Sequence, residues 1–342
     1  MTSRRPRSKA TLHDVARDAG VSFSAVSKAL RAAPHVSAEM RARVQASAEK
    51  LGYRPHAAAR GMRGQTYTLG VLISDLHNPF FAAIYAGFED ILAGTPYHSF
   101  LGIGRAAPGT ENAIIDAMVD RQMDGMILVA PVMAPSDLKV AASEVPTVVL
   151  GVHLPDAELF DTVNNDDELG GRLVVRHLHE QGRRRIAFLS LGDLPHPDGV
   201  TVTHRERGYR ATMTELGLED AITVVTASME SDDIRAVAKR LLTGPDRPDA
   251  IFCWTDYVAF QVIGLATELG LSVPGDLAVV GYDNTPYCSL PQNSLTSVDQ
   301  SGRVLGQQAA KMLLSRIAGR TAAQQYVVMP TLVARRSSAP AA

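Results

Sequence analysis

The chain has 342 residues, 46% of them hydrophobic, which is enough for two or three globular units. Its two cysteines, Cys253 and Cys288, give no disulfide framework and suit a reducing, cytoplasmic compartment. No apolar run approaches the roughly 18 residues of a membrane span, and the basic first ten residues lack the apolar core of a secretion signal.

Residues 1–66 carry 13 Lys and Arg against 4 Asp and Glu, whereas the remainder carries 21 against 32. A basic head on an acidic body indicates a phosphate-binding module, the alternative being a solvated basic tail.

Behind a tail at residues 1–10 that we expect to be disordered, residues 11–52 have the pattern of three short helices. Thr11 and Asp14 match a capping box at the start of the first helix, and Gly20 can supply the left-handed turn before the second. This spacing predicts a helix-turn-helix, whose second helix reads base edges with its N-terminal residues. The predicted DNA contacts of the head are Thr11, Ser22, Phe23, Ser24, Ala25, Ser27 and Lys28. The alternative is an ordinary three-helix bundle in which Phe23 is a stray exposed aromatic.

From Thr68 onward, short β-rich runs alternate with amphipathic helical stretches, which predicts parallel sheets joined by right-handed crossovers. The predicted strands are Leu69–Ile73, His98–Ile103, Gly125–Val129, Thr147–Leu150, Arg185–Ser190, Ile222–Val225, Ala250–Cys253 and Leu277–Gly281. The predicted helices include Pro79–Leu92, Asp166–Gln181, Arg205–Leu216 and Asp256–Leu269. Eight strands are too many for one modest sheet, so we expect an α/β body of two doubly wound lobes over residues 68–342.

Several independent motifs resemble the lactose-repressor (LacI/GalR) family of bacterial transcriptional regulators. They are the head from Thr11 to Leu30, Leu51-Gly52-Tyr53, Asn78-Pro79-Phe80-Phe81, the run from Val119 to Leu128, Gly170-Gly171, Gly281-Tyr282-Asp283-Asn284 and Leu295-Thr296-Ser297-Val298. The resemblance implies a helix-turn-helix, a hinge and two lobes like those of a periplasmic binding protein. It also implies a homodimer that binds a pseudo-palindromic operator in the cytoplasm and responds to a small molecule.

The resemblance gives residues 53–67 the role of a hinge that becomes helical only on operator DNA. By motif position Met62 is the apolar side chain that wedges into a minor-groove step, with Ala59 and Arg63 beside it as further DNA contacts. Gly61 lowers the intrinsic helix propensity of this segment by roughly 1 kcal/mol relative to alanine, which suits a segment that is coil when free. The alternative is an inert linker in which Met62 is merely exposed.

The family resemblance places an effector between the lobes, at the carboxyl ends of parallel strands. The residues it implicates are Asn78, Phe80, Arg205, Trp254, Thr255, Asp256 and Asp283. All of them except Phe80 have a structural alternative. Asn78, Thr255 or Asp256 can cap a helix, Trp254 can belong to a core, Asp283 can be a turn residue, and Arg205 can lie on a helix surface.

The chain departs from many sugar-binding repressors at two positions. It has Gly151 where many carry an aspartate, and Thr255 where many carry an asparagine. A sugar or polyol remains the first expectation for the effector, although the usual hexose-recognition set is incomplete.

Two rival functions are weaker. The run Gly102-Ile-Gly104 fits a dinucleotide-binding fingerprint only loosely, and no nucleophile elbow, phosphate-binding loop or zinc signature accompanies it. We therefore predict no enzyme, no cofactor and no metal. A solute-binding protein of a transporter would share the body but would need a secretion signal and would have no use for residues 11–66.

The C-terminal residues carry no leucine heptads, which argues against a helix-bundle tetramer.

Overall fold

The computed structural model describes residues 10–30, 36–53, 65–154, 157–192 and 200–339. They belong to two compact units, divided between Thr66 and Tyr67. The predicted hinge residues Ala59, Met62 and Arg63 lie outside the described residues.

The first unit contains three helices, α1 (Leu12–Ala19), α2 (Phe23–Leu30) and α3 (Ala38–Leu51). The predicted capping box is present, since the Asp14 amide donates to Thr11 Oγ1 and the Thr11 amide donates to Asp14 Oδ2. Gly20 ends α1 in the left-handed conformation, at a φ of 62°. The small core consists of Val15, Ala16, Ala19, Val26, Ala29, Val44, Ala48 and Tyr53. Tyr53, which the sequence prediction placed at the start of the hinge, has its ring buried in this core, and its amide donates to the carbonyl of Ala48.

The second unit consists of two lobes, each built on a six-stranded sheet. The first lobe has strands in the order β11-β5-β4-β3-β1-β2, all parallel. The strands of this lobe are β1 (Thr68–Ile73), β2 (His98–Ile103), β3 (Gly125–Val129), β4 (Thr147–Leu150), β5 (Asp161–Asn165) and β11 (Gln325–Val328). Its helices are α4 (Pro79–Leu92), α5 (Pro108–Asp120), α6 (Pro135–Glu144) and α11 (Gly302–Ile317). Two apolar clusters, one containing residues of α4 and α11 and the other residues of α5 and α6, form the core of this lobe.

The second lobe has strands in the order β12-β10-β9-β8-β6-β7, with β12 antiparallel to β10 and the other neighbours parallel. Its strands are β6 (Ile186–Leu191), β7 (Thr223–Ala227), β8 (Ala250–Cys253), β9 (Ala278–Tyr282), β10 (Thr296–Asp299) and β12 (Thr331–Val333). Its helices are α7 (Asp167–Glu180), α8 (Thr201–Glu215), α9 (Ser231–Thr243) and α10 (Asp256–Glu268), with short 3-10 turns at Glu219–Ala221 and Pro286–Ser289. A single continuous apolar cluster fills this lobe. None of the described helices is long and apolar enough to cross a membrane.

The eight predicted strands lie within two residues of their predicted positions. The predicted start of α8 at Arg205 was wrong, because the helix begins at Thr201. The β-branched side chains in its first turn favour a strand in the sequence, and the residue before the helix provides no side-chain cap.

The chain crosses between the lobes three times, after β5, after β10 and after β11. One buried side chain joins all three crossovers. Asn165, at the end of β5, donates through Nδ2 to the carbonyl of Gln300 at 2.9 Å and to that of Val328 at 3.4 Å. The backbone amide of Asp166 also donates to the Val328 carbonyl. The three segments that link the lobes are therefore held together by the buried side-chain amide of Asn165.

Candidate DNA-reading face and ligand cleft

Helix α2 presents one polar face outward. Val26 and Ala29 are buried, whereas Ser22, Phe23, Ser24 and Lys28 are exposed, with Ala25 and Ser27 half-buried between them. Ser22 caps the helix, since its Oγ accepts from the Ala25 amide at 3.2 Å. All of the predicted DNA contacts on this helix thus lie on the side that faces away from the core of the first unit. The arrangement suits a helix that enters a DNA groove.

Phe23 is held in place by a neighbour that the sequence reasoning missed. Its ring is 43% exposed and stacks on the imidazole of His13 in α1, with centroids 4.7 Å apart. This contact fixes an apolar side chain at the start of α2. Thr11, by contrast, uses its hydroxyl locally, because Oγ1 both accepts from the Asp14 amide and donates to the Asp14 carboxylate.

Asn78 joins the two lobes at the carboxyl end of β1. Its Oδ1 accepts from the Phe80 amide and so caps α4, while its Nδ2 donates to Asp283 Oδ2 at 2.8 Å. The cap fixes which end of the amide faces Asp283. Asn78 is thus a helix cap that also contacts a residue of the second lobe, and its role in effector binding stays a prediction.

Arg205 is buried, with 5% of its surface exposed, and so the alternative of a surface helix residue was wrong. Its Nε donates to Asp167 Oδ1 at 2.9 Å, Nη1 to the Trp254 carbonyl at 2.8 Å and Nη2 to Gln300 Oε1 at 3.3 Å. The guanidinium carbon also lies 3.6 Å from the centre of the Tyr282 ring. Arg205 is the centre of a polar cluster at the carboxyl ends of the second-lobe strands.

Gln300, in the second crossover, links this cluster to Asp283. Its Oε1 accepts from Arg205, and its Nε2 donates to Asp283 Oδ1. Sequence reasoning missed Gln300 and Asp167. Asp167 follows Asp166 at a helix start, where an acidic residue is ordinary, and Gln300 lies in a short polar segment with no signal of its own.

Asp283 lies in an unusual electrostatic position. It is buried, and its φ of 110° places a non-glycine residue in a sparsely populated region, as is common at functional sites. Burial, reinforced by the negative charge of Asp256, raises the pKa of its carboxyl to about 7, while Arg205 and the hydrogen bonds from Asn78 and Gln300 oppose that rise. The carboxyl therefore titrates close to neutral pH.

Asp256 supports the loop that carries Asp283. Its Oδ1 accepts from Ser297 Oγ at 2.6 Å, and its Oδ2 accepts from the Thr285 amide at 2.7 Å and from Cys288 Sγ at 3.0 Å. Burial raises the pKa of this carboxyl as well. These contacts lie within the second lobe and give Asp256 a structural role. Thr255 precedes α10 but makes no side-chain cap there.

The aromatic candidates are partly core residues. Trp254 is buried in the apolar cluster of the second lobe and contributes its carbonyl to Arg205. Phe80 is half-buried against the cluster of α4 and α11.

The segment after β4 also reaches the second lobe. Gly151 has a φ of 70°, so a side chain there would be strained, and the next residue, Val152, forms a β-bridge with Val200. His153 then places Nε2 2.9 Å from Asp167 Oδ2 and stacks on His204 at a centroid distance of 4.0 Å. The departure from the family at Gly151 thus coincides with a histidine contact between the lobes that the sequence did not predict.

Two family models match the chain. The model of bacterial regulatory proteins of the lacI family matches residues 11–56, and a periplasmic binding protein-like domain matches residues 175–338. Catabolite control protein A of Priestia megaterium is 33% identical over 331 residues, covering 96% of this chain and 98% of its own. The ribose operon repressor of Escherichia coli K12 is 32% identical over 335 residues, covering 96% of this chain and 100% of its own.

Solved structures agree with these matches. The lac repressor dimer bound to operator and the anti-inducer ONPF is similar with a TM-score of 0.82 and 26% identity, over 97% of this chain and 100% of that one. A LacI family transcriptional regulator from Enterococcus faecium with bound ribose has a TM-score of 0.70 and 26% identity, over 80% of this chain and 100% of that one.

A helix-turn-helix head joined to a two-lobed body of this kind defines a class of ligand-responsive transcriptional regulators. The chain belongs to the LacI family of bacterial regulatory proteins.

Proposed function

We propose that the protein is a repressor that binds a pseudo-palindromic operator as a homodimer, and that a small sugar-like effector between its lobes controls the affinity for DNA. The observation that carries this proposal is the cluster of Asn78, Asp283, Gln300 and Arg205, in which side chains of both lobes meet at the carboxyl ends of parallel strands. A ligand that altered the contacts between the lobes at this cluster would change the conformation of the body, and we propose that this change alters DNA binding. We assign the protein no catalytic role, and we expect it to act in the cytoplasm on chromosomal DNA.

On the DNA side, α2 supplies the reading contacts. Ser24 and Lys28 lie on its exposed face, and hydroxyl and ammonium groups can bond base edges or phosphates. Two heads of a dimer would read the two halves of a pseudo-palindrome, because the symmetry of the site mirrors that of the protein. The proposed contact set of the head is completed by Thr11, Ser22, Phe23, Ala25 and Ser27.

The hinge proposal rests on sequence position and family membership. Met62 would wedge into a central minor-groove step, with Ala59 and Arg63 beside it. Substitution of Met62 by alanine should therefore weaken binding to the specific operator more than binding to random DNA. An unchanged ratio of the two affinities would refute the wedge.

On the ligand side, Asn78, Arg205 and Asp283 offer donors and acceptors to vicinal hydroxyl groups, with Phe80 and Trp254 as apolar walls. Thr255 and Asp256 complete the proposed set, and the carboxylate of Asp256 makes its bonds within the second lobe. A carbohydrate as the effector class is supported by the similarity to the ribose operon repressor and to a solved LacI family regulator with bound ribose. By linkage, such a ligand alters DNA affinity only as far as it binds the two lobe arrangements unequally.

Selection of binding sites from a pool of random duplexes, using the full-length protein, tests this function. We expect one enriched pseudo-palindromic sequence. Substitution of Lys28 by alanine should weaken binding to it by about 5- to 150-fold, the effect of one lost base contact of roughly 1–3 kcal/mol. Lys139→Ala, which removes an exposed lysine of the second unit, is the matched control and should leave the affinity unchanged. Failure to enrich any sequence would overturn the proposal.

A further inference from the structure

Asp167 occupies a position in the cleft that neither the family motifs nor the sequence pattern assigned. It is the first residue of α7 and is almost fully buried. Its Oδ1 accepts from Arg205 Nε at 2.9 Å and from the Tyr282 hydroxyl at 3.4 Å, and its Oδ2 lies 2.9 Å from His153 Nε2. The carboxylate therefore contacts a residue of the first lobe and the central cation of the second.

From this geometry we propose that Asp167 is the internal counter-ion of Arg205 and that it excludes anionic effectors from the cleft. The inference rests on the proposed function, because it assumes that the effector binds at this cluster. A buried arginine without a partner would be a ready site for a carboxylate or phosphate, which it binds through charge-assisted bonds. Here a carboxylate of the chain already holds the guanidinium.

The charges around Arg205 support this exclusion. Asp167 balances its single positive charge, and Asp283 adds a second carboxyl, reached through Gln300. An anionic ligand that displaced Asp167 would leave that carboxylate buried without its cation, which is costly. An anion that bonded the other N–H groups of Arg205 instead would meet a guanidinium whose charge Asp167 already balances. The cleft thus carries a built-in penalty against anions.

An uncharged polyhydroxy ligand meets no such penalty. Among the described residues, three of the five N–H groups of Arg205 have named partners: the Nε group, one on Nη1 and one on Nη2. The remaining donors can bond hydroxyl groups without disturbing the ion pair. Asp167 would then act as a positioning residue, which orients Arg205 for a neutral ligand.

The contact between α7 and α8 fixes this pair. A Cβ on Gly171 would lie 2.2 Å from the carbonyl of Arg205, and one on Gly208 would lie 2.0 Å from that of Glu168. The two backbones are therefore in van der Waals contact next to Asp167 and Arg205. The close packing of the two helices therefore fixes the positions of Asp167 and Arg205 relative to each other.

Isothermal titration of the full-length protein with inorganic phosphate, at low salt and pH 7.5, tests the counter-ion. Asp167→Asn should bind phosphate at least about tenfold more tightly than the wild type, because it releases a buried cation of high affinity for oxyanions. Glu168→Gln is the matched control, since it removes a carboxylate one residue away that pairs with Arg172 at the surface, and it should bind like the wild type. The double variant Asp167→Asn with Arg205→Gln should lose the gain. Equal phosphate binding by Asp167→Asn and the wild type would overturn the proposal, and so would an equal gain in Glu168→Gln.

A second measurement needs no variant and so does not depend on the folding of Asp167→Asn. Thermal-shift titrations of the wild type with ribose and with ribose 5-phosphate compare a neutral ligand with its anionic counterpart. The proposal predicts that the phosphate ester binds no more tightly than the free sugar, and tighter binding by tenfold would overturn it. Binding of the selected duplex, measured in the same samples, reports separately on the proposed function, which could fail while the anion comparison stands.

Discussion

At the scale of single residues, the orientation of two amides defines the cleft. Asn78 must turn its Nδ2 to Asp283 because its Oδ1 caps α4, and Gln300 must do the same because its Oε1 accepts from Arg205. Neither amide can reverse without losing a second bond. Asp283 is therefore surrounded by donors while burial favours its neutral form, and the balance places its pKa about 7.

Asp283 should make the stability of the second lobe depend on pH. Because the pKa of its carboxyl is about 7 in the folded protein and near 3.8 in the unfolded chain, the folded state retains the proton over a range in which the unfolded chain has lost it. Its contribution to the free energy of unfolding is thus greatest at low pH and declines as the pH rises from about 4 to about 7. Asp283→Asn has no carboxyl group that titrates at this position. The free energy of unfolding of the wild type minus that of Asp283→Asn should therefore fall from pH 5 to pH 8.

Urea unfolding followed by fluorescence measures this difference, since Trp254 is the single tryptophan of the chain and lies in the same lobe. Glu168→Gln provides a control for the loss of a carboxylate. A difference between wild type and Asp283→Asn that stays constant with pH would mean that the amide donors keep Asp283 ionised throughout.

At the scale of elements, glycines decide which helices touch. Helices α7 and α8 meet through Gly171 and Gly208, and α4 and α11 meet in the same way through Gly87 and Gly306, where a Cβ would lie about 2 Å from a carbonyl of the facing helix. Each lobe thus has one helix pair with its backbones in contact. In the second lobe this pair carries Asp167 and Arg205.

Gly208→Ala should destabilise the second lobe by roughly 1–3 kcal/mol, because its methyl group would push against backbone that cannot move aside. Gly264→Ala is the matched control, since Gly264 lies in α10 with no atom within 4 Å of an added Cβ. That change should stabilise the helix by roughly 0.5–1 kcal/mol. Urea unfolding midpoints measure both, and equal effects of the two substitutions would contradict the packing argument.

Sequence patterns predicted eight strands, and they missed β5, whose polar side chains are buried for specific partners. They also missed β10, β11 and β12, which are only three or four residues long. Strand β5 has the sequence Asp-Thr-Val-Asn-Asn and is nevertheless buried throughout. Asp161 pairs with Arg316 and Arg320, and Asn164 bonds both backbone groups of Val152. Such partners are distant in the chain, and so no local pattern indicates them. The same reason explains why Asp167 and Gln300 were missed while the head, with its local caps and spacing, was predicted.

At the scale of the whole molecule, motion between the lobes must pass through three crossovers that Asn165 ties together. Asn165→Ala should speed hydrogen exchange at 299–301 and 328–331, because two buried carbonyls lose their donor, and should cost roughly 1–3 kcal/mol. Asn164→Ala is the neighbouring control, since its side-chain amide bonds the backbone of Val152 and not the carbonyls of Gln300 or Val328. Exchange measured by mass spectrometry should change at 299–301 only in Asn165→Ala, and the same change in both variants would refute the hinge role.

We expect a ligand at the Arg205 cluster to control DNA binding by the head. The most direct test is a fluorescence-anisotropy titration of the selected operator duplex with full-length protein, with and without the sugar that most raises its melting temperature. We predict that the sugar changes the operator Kd by roughly 5- to 150-fold. The double variant Asp167→Asn with Arg205→Gln, which removes both charges together and leaves neither buried alone, should bind the operator like the wild type and show no change with the sugar. An operator Kd that the sugar leaves unaltered in the wild type, or a normal response in the double variant, would show that a ligand at the Arg205 cluster does not control DNA binding.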